Sequence, residues 1–115
     1  MNSSISAFLT DPPGAPSGPE FTEITKSVIT FSWQPPEFNG GSPITGYYIE
    51  RRQTSSTRWV KITKKVVTEI TYSDTEVLED NEYEYRIIAE NKIGKSEPGP
   101  SSKAVTAKDP WGKQF

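Results

Sequence analysis

The clearest alternation of hydrophobic and polar residues lies in the stretch that follows the turn at residues 78–82. Its alternate positions hold Tyr83, Tyr85, Ile87 and Ala89. The intervening positions hold Glu82, Glu84, Arg86, Glu90 and one apolar residue, Ile88. Because successive side chains of a strand point to opposite faces, this pattern predicts a strand with one buried and one solvated face. Tyr83 directly follows the turn, which suits a tyrosine corner with its hydroxyl bonded to the turn backbone.

Six shorter segments show related alternation. They are predicted as strands over residues 19–24, 28–34, 44–53, 58–63, 69–74 and 102–107. Turn-forming residues separate them, and Pro35-Pro36 and Gly40-Gly41 mark two of the breaks. Seven short strands without a helical period predict an all-β fold, a seven-stranded antiparallel β-sandwich of two sheets.

The same alternation predicts which side chains fill the space between the sheets. The candidate core residues are Trp33, Tyr47, Ile49, Tyr72, Tyr83, Tyr85 and Ile87. One charged residue, Asp74, falls two positions after Tyr72, where an apolar residue would fit. Because a buried carboxylate without partners is costly, we expect Asp74 to be hydrogen-bonded to the backbone of its turn.

The two ends of the chain lack the strand pattern. We predict a linker or non-native segment over residues 1–15, one domain over 16–107 and an interdomain linker over 108–115. Proline recurs at every third position, at Pro13, Pro16 and Pro19. This spacing fits a stiff linker, and it also fits the PxxP pattern of peptides that bind SH3 domains. We favour the linker because short proline patterns are common.

Composition removes most kinds of chemistry from consideration. The 115 residues include no Cys and no His, so the usual thiolate nucleophiles, metal ligands and general bases are missing. The glutamates of the strand after residue 82 share one solvated face, whereas a catalytic pair needs two unlike environments. We therefore predict that the chain is not an enzyme and holds no cofactor or metal.

Charge and hydropathy argue against two further kinds of partner. The net charge is -2, which does not favour nucleic acid. No apolar run is long enough to span a bilayer, and residues 1–10 do not resemble a signal peptide. We expect neither nucleic-acid nor membrane binding.

A local excess of positive charge lies in the middle of the chain, between residues 51 and 65. Tyr48, Arg52 and Lys61 are our candidates for a partner surface on an outer sheet face, suited to an acidic protein. An ordinary solvated face of mixed charge is the alternative, and it is the default for exposed strands. The run from Arg51 to Thr54, Arg-Arg-Gln-Thr, also fits the pattern that basophilic kinases recognise, although such motifs often occur by chance.

The spaced residues resemble those of a fibronectin type III domain, an immunoglobulin-like fold, over about residues 16–107. The matching positions are Pro19, Trp33, Pro35, Pro36, Tyr47, Ile49, Trp59, Tyr83, Tyr85, Ile87, Ala89 and Asn91. Two positions depart from the family pattern. Val77 stands where the family usually has Leu, and Asp74 stands where it often has an aliphatic residue.

Loop sequences carry a narrower resemblance, to the fibronectin type III units of titin and related giant sarcomeric proteins such as twitchin and myosin-binding protein C. The similar stretches are residues 11–14, 39–47, 49–52, 89–94 and 108–110. The resemblance implies a cytoplasmic, load-bearing module of the sarcomere, with neighbouring immunoglobulin-like and fibronectin type III domains and with myosin or another thick-filament protein as a partner. The linkers that frame the domain suggest a monomer. The alternative is an extracellular adhesion or receptor-type domain that binds a protein ligand through its loops.

Overall fold

Two antiparallel β-sheets packed face to face form the fold. The structure is a computed structural model that describes residues 10–110. Its strands are β1 (Glu20–Ile24), β2 (Ile29–Ser32), β3 (Gly46–Gln53), β4 (Val60–Lys61), β5 (Thr71–Asp74), β6 (Glu82–Glu90) and β7 (Val105–Thr106). One sheet has the order β1-β2-β5 and the other has the order β4-β3-β6-β7. The predicted all-β, seven-stranded sandwich is confirmed. Between Thr10 and Pro110 we find no helix that is long and apolar enough to cross a membrane.

The longest strand pairing joins β3 and β6. Every residue of β3 has a partner in β6, from Gly46 opposite Glu90 to Gln53 opposite Tyr83. Along β6 the residues of odd number are buried and those of even number are more exposed. The two-residue alternation of the sequence thus sets both the strand and the face that it turns inward.

The hydrophobic core lies between the sheets. Six of the candidate core residues are at most 4% exposed: Trp33, Tyr47, Ile49, Tyr83, Tyr85 and Ile87. Tyr72 differs, because β5 is an edge strand, and its half-buried ring packs 6.1 Å from that of Phe31 at the margin of the core. Phe31 was not among the candidates, yet it is fully buried and its ring centroid lies 4.5 Å from that of Tyr85.

The predicted tyrosine corner is confirmed. The backbone N–H of Leu78 donates a hydrogen bond of 2.8 Å to the Tyr83 hydroxyl, and the Tyr83 ring is 2% exposed. Val77, one of the departures from the family pattern, is buried directly before this turn. The corner therefore fixes the start of β6 against the turn that precedes it.

β4 and β7 are shorter than predicted. Where the regular pairing lapses, hydroxyl groups accept hydrogen bonds from strand amides. Thr63 accepts from the Ile49 N–H at 3.2 Å, and Ser102 accepts from the Tyr85 N–H at 3.0 Å. These contacts satisfy buried amides without a continuous ladder. Sequence alternation cannot distinguish this arrangement from a longer strand.

The N-terminal segment packs on the sandwich, which differs from the predicted linker over residues 1–15. Pro13, Pro16 and Pro19 are all buried. Because these three prolines are buried, they are not accessible to an SH3 domain in the folded chain. Asp11 and Gly14 donate backbone hydrogen bonds of 2.8 Å to Gly40 and Phe38. Residues 11–14 therefore contact the sandwich. Residues 1–9 and 111–115 of the predicted linkers lie outside the described residues.

Candidate interaction surfaces

Asn91 ties the N-terminal segment to two loops at one end of the sandwich. Its Nδ2 donates to the carbonyl oxygens of Asp11 and Asn39, both at 2.8 Å. Its Oδ1 accepts from the amides of Ile93 at 2.9 Å and Gly94 at 3.1 Å. The side-chain amide thus uses both donors and both acceptor sites in a residue that is 2% exposed.

Gly40 permits this close approach of the N-terminal segment. Its φ is +80°, and a Cβ at this position would lie 2.0 Å from the carbonyl oxygen of Asp11. A side chain here would therefore be strained and would also collide with the segment. We call residues 11–14, 38–40 and 91–94 the N-terminal pole. Two large apolar side chains of the pole stay accessible, Phe38 at 57% and Ile93 at 45% exposed.

The outer face of the four-stranded sheet carries a second group of contacts around Trp59. The guanidinium of Arg86 lies 4.2 Å from the Trp59 ring centroid, and the guanidinium of Arg52 lies 5.6 Å from the Trp59 ring centroid. Arg52 pairs with Glu84 at 2.5 Å, and Arg86 pairs with Glu50 at 2.7 Å. We call these five residues the arginine–tryptophan ladder. Its charges compensate one another, so Arg52 is already engaged within the domain.

Farther along the same face, two lysines flank Tyr48. The Nζ of Lys61 lies 5.0 Å from the ring centroid and that of Lys95 lies 4.4 Å from it. The Tyr48 hydroxyl donates to Glu90 at 3.2 Å, and partial burial together with Glu90 raises the pKa of Tyr48. Neither lysine forms an ion pair with another described residue. We call Tyr48, Lys61 and Lys95 the lysine–tyrosine cluster.

The structure therefore divides the three candidate surface residues between two groups. Tyr48 and Lys61 come together, whereas Arg52 belongs to the arginine–tryptophan ladder. Sequence reasoning missed Lys95 because it lies in the loop after β6. That loop folds back, and the backbone of Lys95 forms an isolated antiparallel β-bridge with that of Glu90. The turn residues that follow Asn91 signal a reversal, but they do not give its register.

Asp74 lies in a buried polar network between the sheets. Its carboxylate accepts from the Glu76 amide at 3.1 Å, which confirms the expected backbone hydrogen bond. It also accepts from Arg51 at 2.8 Å and from the Tyr85 hydroxyl at 2.7 Å. Burial, and then the negative charge of Asp74, raise the pKa of Tyr85. These hydrogen bonds link β5 to β3 and β6. Within residues 10–110 no group of three or more carboxylates is arranged to bind a metal.

An immunoglobulin-like sandwich of three and four strands, closed by a tyrosine corner, defines a class of small β domains. The chain belongs to the fibronectin type III domain family, whose sequence model matches residues 14–105. It is 38% identical to chicken (Gallus gallus) cardiac-type myosin-binding protein C over 85% of this chain and 8% of that protein. It is also 38% identical to the human (Homo sapiens) fast-type protein over 87% of this chain and 9% of that protein. The chain thus spans less than a tenth of the length of these curated relatives.

Solved structures of titin and twitchin domains superpose on this fold. A crystal structure of titin domains superposes with a TM-score of 0.82 at 30% identity, covering 87% of this chain and 34% of that one. A titin module from human cardiac muscle superposes with a TM-score of 0.78 at 34% identity, covering 85% of this chain and 95% of that module. The kinase region of twitchin from C. elegans matches with a TM-score of 0.80 at 31% identity, over 85% of this chain and 17% of that one.

Proposed function

We propose that this chain is a non-catalytic structural and protein-interaction module of a titin-like giant muscle protein. It works in the cytoplasm, within the sarcomere, where it contributes to thick-filament scaffolding and mechanical elasticity. Its neighbours are immunoglobulin-like and fibronectin type III domains of the same chain, and the domain itself is monomeric. The similarity to myosin-binding protein C and to titin domains over at least 85% of the chain supports this proposal.

The architecture of the N-terminal pole is the observation that carries the proposal. Asn91 holds the entering chain against two loops, so the segment at Asp11 leaves the domain in a fixed position. Phe38 and Ile93 are exposed at the same pole. A preceding domain that packs there would cover both of these side chains. Both features suit a tandem array with defined spacing.

An immunoblot of fractionated muscle tests the cellular context. An antibody raised against residues 91–108 should detect a band of giant size in the myofibril fraction. A small, glycosylated band in the membrane or secreted fraction would contradict the proposal. The same blot of a non-muscle tissue serves as the control for antibody specificity.

We further propose that the lysine–tyrosine cluster contacts an acidic segment of myosin or of another thick-filament protein. Two ammonium groups that form no ion pair with a described residue lie beside an aromatic ring, and they offer charge attraction together with apolar contact. The arginine–tryptophan ladder lacks this feature because its arginines already pair with Glu50 and Glu84. The names of the relatives include myosin as a binding partner, which supports a test with the myosin rod.

Charge reversal separates this surface from general charge effects. The double substitution Lys61→Glu with Lys95→Glu should weaken co-sedimentation with myosin rod filaments by about tenfold, and added salt should weaken the wild type in the same direction. The matched control is Lys64→Glu with Lys65→Glu, which changes the net charge equally at two exposed lysines outside the cluster. Equal loss in both variants would contradict a specific role for the cluster.

A further inference from the structure

We propose that Thr54 is a latent phosphorylation site for a basophilic serine/threonine kinase, available only when the end of β3 separates from β6. Arg51 and Arg52 lie three and two residues before the Thr54 hydroxyl. A kinase that reads this pattern binds the guanidinium groups through its own carboxylates, and it needs the substrate backbone free and extended. This inference concerns the chain itself, and it does not depend on the filament to which the chain belongs.

In the folded domain Arg51 is turned inward and engaged. Its Nη1 donates to the Asp74 carboxylate at 2.8 Å, and its guanidinium lies 5.0 Å from the Tyr83 ring centroid. The Asp74 side chain is only 3% exposed, so withdrawing Arg51 would leave a buried carboxylate without its cationic partner. Such separations are strongly unfavourable. In the folded state Arg51 is therefore not free to bind a kinase.

Arg52 points to the opposite face and is engaged there. It donates to Glu84 at 2.5 Å and to the carbonyl oxygen of Ser56 at 2.6 Å. Its guanidinium also lies over the Trp59 ring system. The second arginine is thus held by three separate groups of the domain. A kinase would have to displace all of them to bind it.

Thr54 is itself held by β6. Its N–H donates to the Glu82 carbonyl oxygen at 3.0 Å, and its Oγ1 donates to the Glu82 carboxylate at 2.6 Å. The hydroxyl that must attack a phosphoryl group is thereby occupied, and the backbone around it is paired. In the folded domain the nucleophile and both recognition residues are therefore all bonded to other groups of the domain.

The position of the motif makes local opening sufficient to expose it. β4 pairs only with Glu50 and Arg51, so residues beyond Arg51 are held in the sheet by β6 alone. Separation that starts at the turn after Thr54 frees the whole motif once it reaches Arg51 and also breaks the pairing of Arg51 with Val60 of β4. Sub-global openings of this kind cost less than complete unfolding and become more frequent when the domain is destabilised or pulled.

Phosphorylation would oppose the return to the folded state. The kinase transfers the γ-phosphoryl group of ATP to Thr54 Oγ1. A new O–P bond forms, the bond to the ADP oxygen breaks, and the hydroxyl proton passes to a kinase carboxylate. The product carries a charge of about −1.5 to −2 where Oγ1 had donated to the Glu82 carboxylate. Repulsion from Glu82, and competition with Glu84 for Arg52, both disfavour re-pairing with β6.

A kinase assay tests the proposal directly. The catalytic subunit of cAMP-dependent protein kinase with Mg²⁺ and ATP is incubated with the full chain and, separately, with a peptide of residues 49–58. We expect the peptide to be phosphorylated at Thr54, mapped by mass spectrometry, and the folded chain to react at least about a hundredfold more slowly. Thr54→Ala in both substrates should abolish the signal, which controls for the neighbouring serines.

Destabilised variants test whether phosphorylation requires β3 to separate from β6, and they leave the kinase motif itself unchanged. We call this requirement the gate. Asp74→Asn removes the ion pair of Arg51, and Tyr83→Phe removes the hydrogen bond at the tyrosine corner. Because more of the chain is open, Asp74→Asn should be phosphorylated at least about tenfold faster than the wild type, and Tyr83→Phe about five- to thirtyfold faster. If Asp74→Asn does not fold, it should react like the peptide.

Four outcomes would overturn the proposal or one of its parts. The motif is not a kinase site if the peptide remains unmodified. The gate is wrong if the folded chain reacts as fast as the peptide, or if destabilised variants react no faster than the wild type. The proposed effect on refolding is wrong if the phosphorylated chain unfolds at the same urea concentration as the unmodified chain, or at a higher one.

Discussion

Two buried tyrosines show how one hydroxyl can matter at the scale of a single residue. Tyr83 and Tyr47 both pack in the core, but only the Tyr83 hydroxyl has a hydrogen bond with another described residue. Tyr83→Phe leaves the Leu78 amide without its acceptor and should lower the free energy of unfolding by about 1–2 kcal/mol. Urea denaturation measures this loss.

Tyr47→Phe is the matched control for that substitution. It makes the same chemical change at a buried ring and should cost no more than about 0.5 kcal/mol. Equal losses for the two variants would show that the tyrosine corner contributes nothing beyond ring packing.

Among the described residues, Trp33 is the largest buried side chain, and its indole contains a polar group without a partner there. The residue is 2% exposed, and among the described residues its Nε1–H has no hydrogen-bond acceptor. Trp33→Ala should cost about 3–5 kcal/mol through the cavity it leaves. Trp33→Phe should cost clearly less, because it keeps an aromatic ring and removes the unpaired donor.

Thermal or urea unfolding of both Trp33 variants checks this order. A loss below about 1 kcal/mol for Trp33→Ala would contradict the central position of the ring in the core. A loss for Trp33→Phe equal to that for Trp33→Ala would show that keeping an aromatic ring at this position does not preserve the packing.

At the scale of elements, the Asp74 network joins strands of different sheets. Asp74 belongs to β5, whereas Arg51 and Tyr85 belong to β3 and β6. Asp74→Ala should therefore cost about 3–5 kcal/mol, since it strands a partly buried guanidinium and a buried hydroxyl. The triple change Asp74→Leu, Arg51→Met and Tyr85→Phe should recover much of that loss, and urea denaturation of both variants would show it.

The same network gives the domain an alkaline limit. Burial and Asp74 raise the pKa of Tyr85 above its unfolded value of about 10. The folded state therefore keeps the proton while the unfolded state releases it, so this stability is complete below pH of about 10 and is lost as the pH rises further. Burial also raises the pKa of Tyr47 and Tyr72, which adds a background slope of the same sign.

Tyr85→Phe isolates the contribution of that one residue. Unfolding free energies measured by urea between pH of about 8 and 11 should fall less steeply for the variant than for the wild type. Identical slopes would mean that Tyr85 ionises equally in the two states.

The strands also show what the sequence could and could not predict. β6 was predictable because its alternation is long and uninterrupted, and the ring of Tyr83 follows a turn. The presence of β4 and β7 was also predictable, but their short lengths were not, because hydroxyls of Thr63 and Ser102 replace ladder contacts. The candidate surface was predicted in part: parity placed Tyr48 outward, but Lys95 depends on a loop register that no local pattern encodes.

At the scale of the whole molecule, Asn91 decides how the chain enters the domain. Asn91→Asp keeps both acceptors but loses the two donors to Asp11 and Asn39. It also places a negative charge beside their carbonyl oxygens, so the N-terminal segment should detach. Amide hydrogen exchange should show protected N–H groups at Asp11 and Gly14 in the wild type and lost protection in the variant.

Asn39→Asp is the control for this prediction. The Asn39 side chain accepts a 2.8 Å hydrogen bond from the Gly41 amide, and an aspartate can do the same. Protection at Asp11 should therefore persist. Loss of protection in both variants would indicate that added charge, rather than the Asn91 donors, releases the segment.

The attachment of the N-terminal segment has a consequence for a chain under tension. A pull from the N-terminal side acts on the contacts of Asp11 and Gly14 before it reaches β1. Residues 11–19, once peeled away, would have a contour length of about 30 Å at roughly 3.4 Å per residue. We expect this segment to detach first under load and to pack on the sandwich again when the load falls, while every strand stays paired. Each such domain in a filament would then act as a weak spring in series with a stiff body.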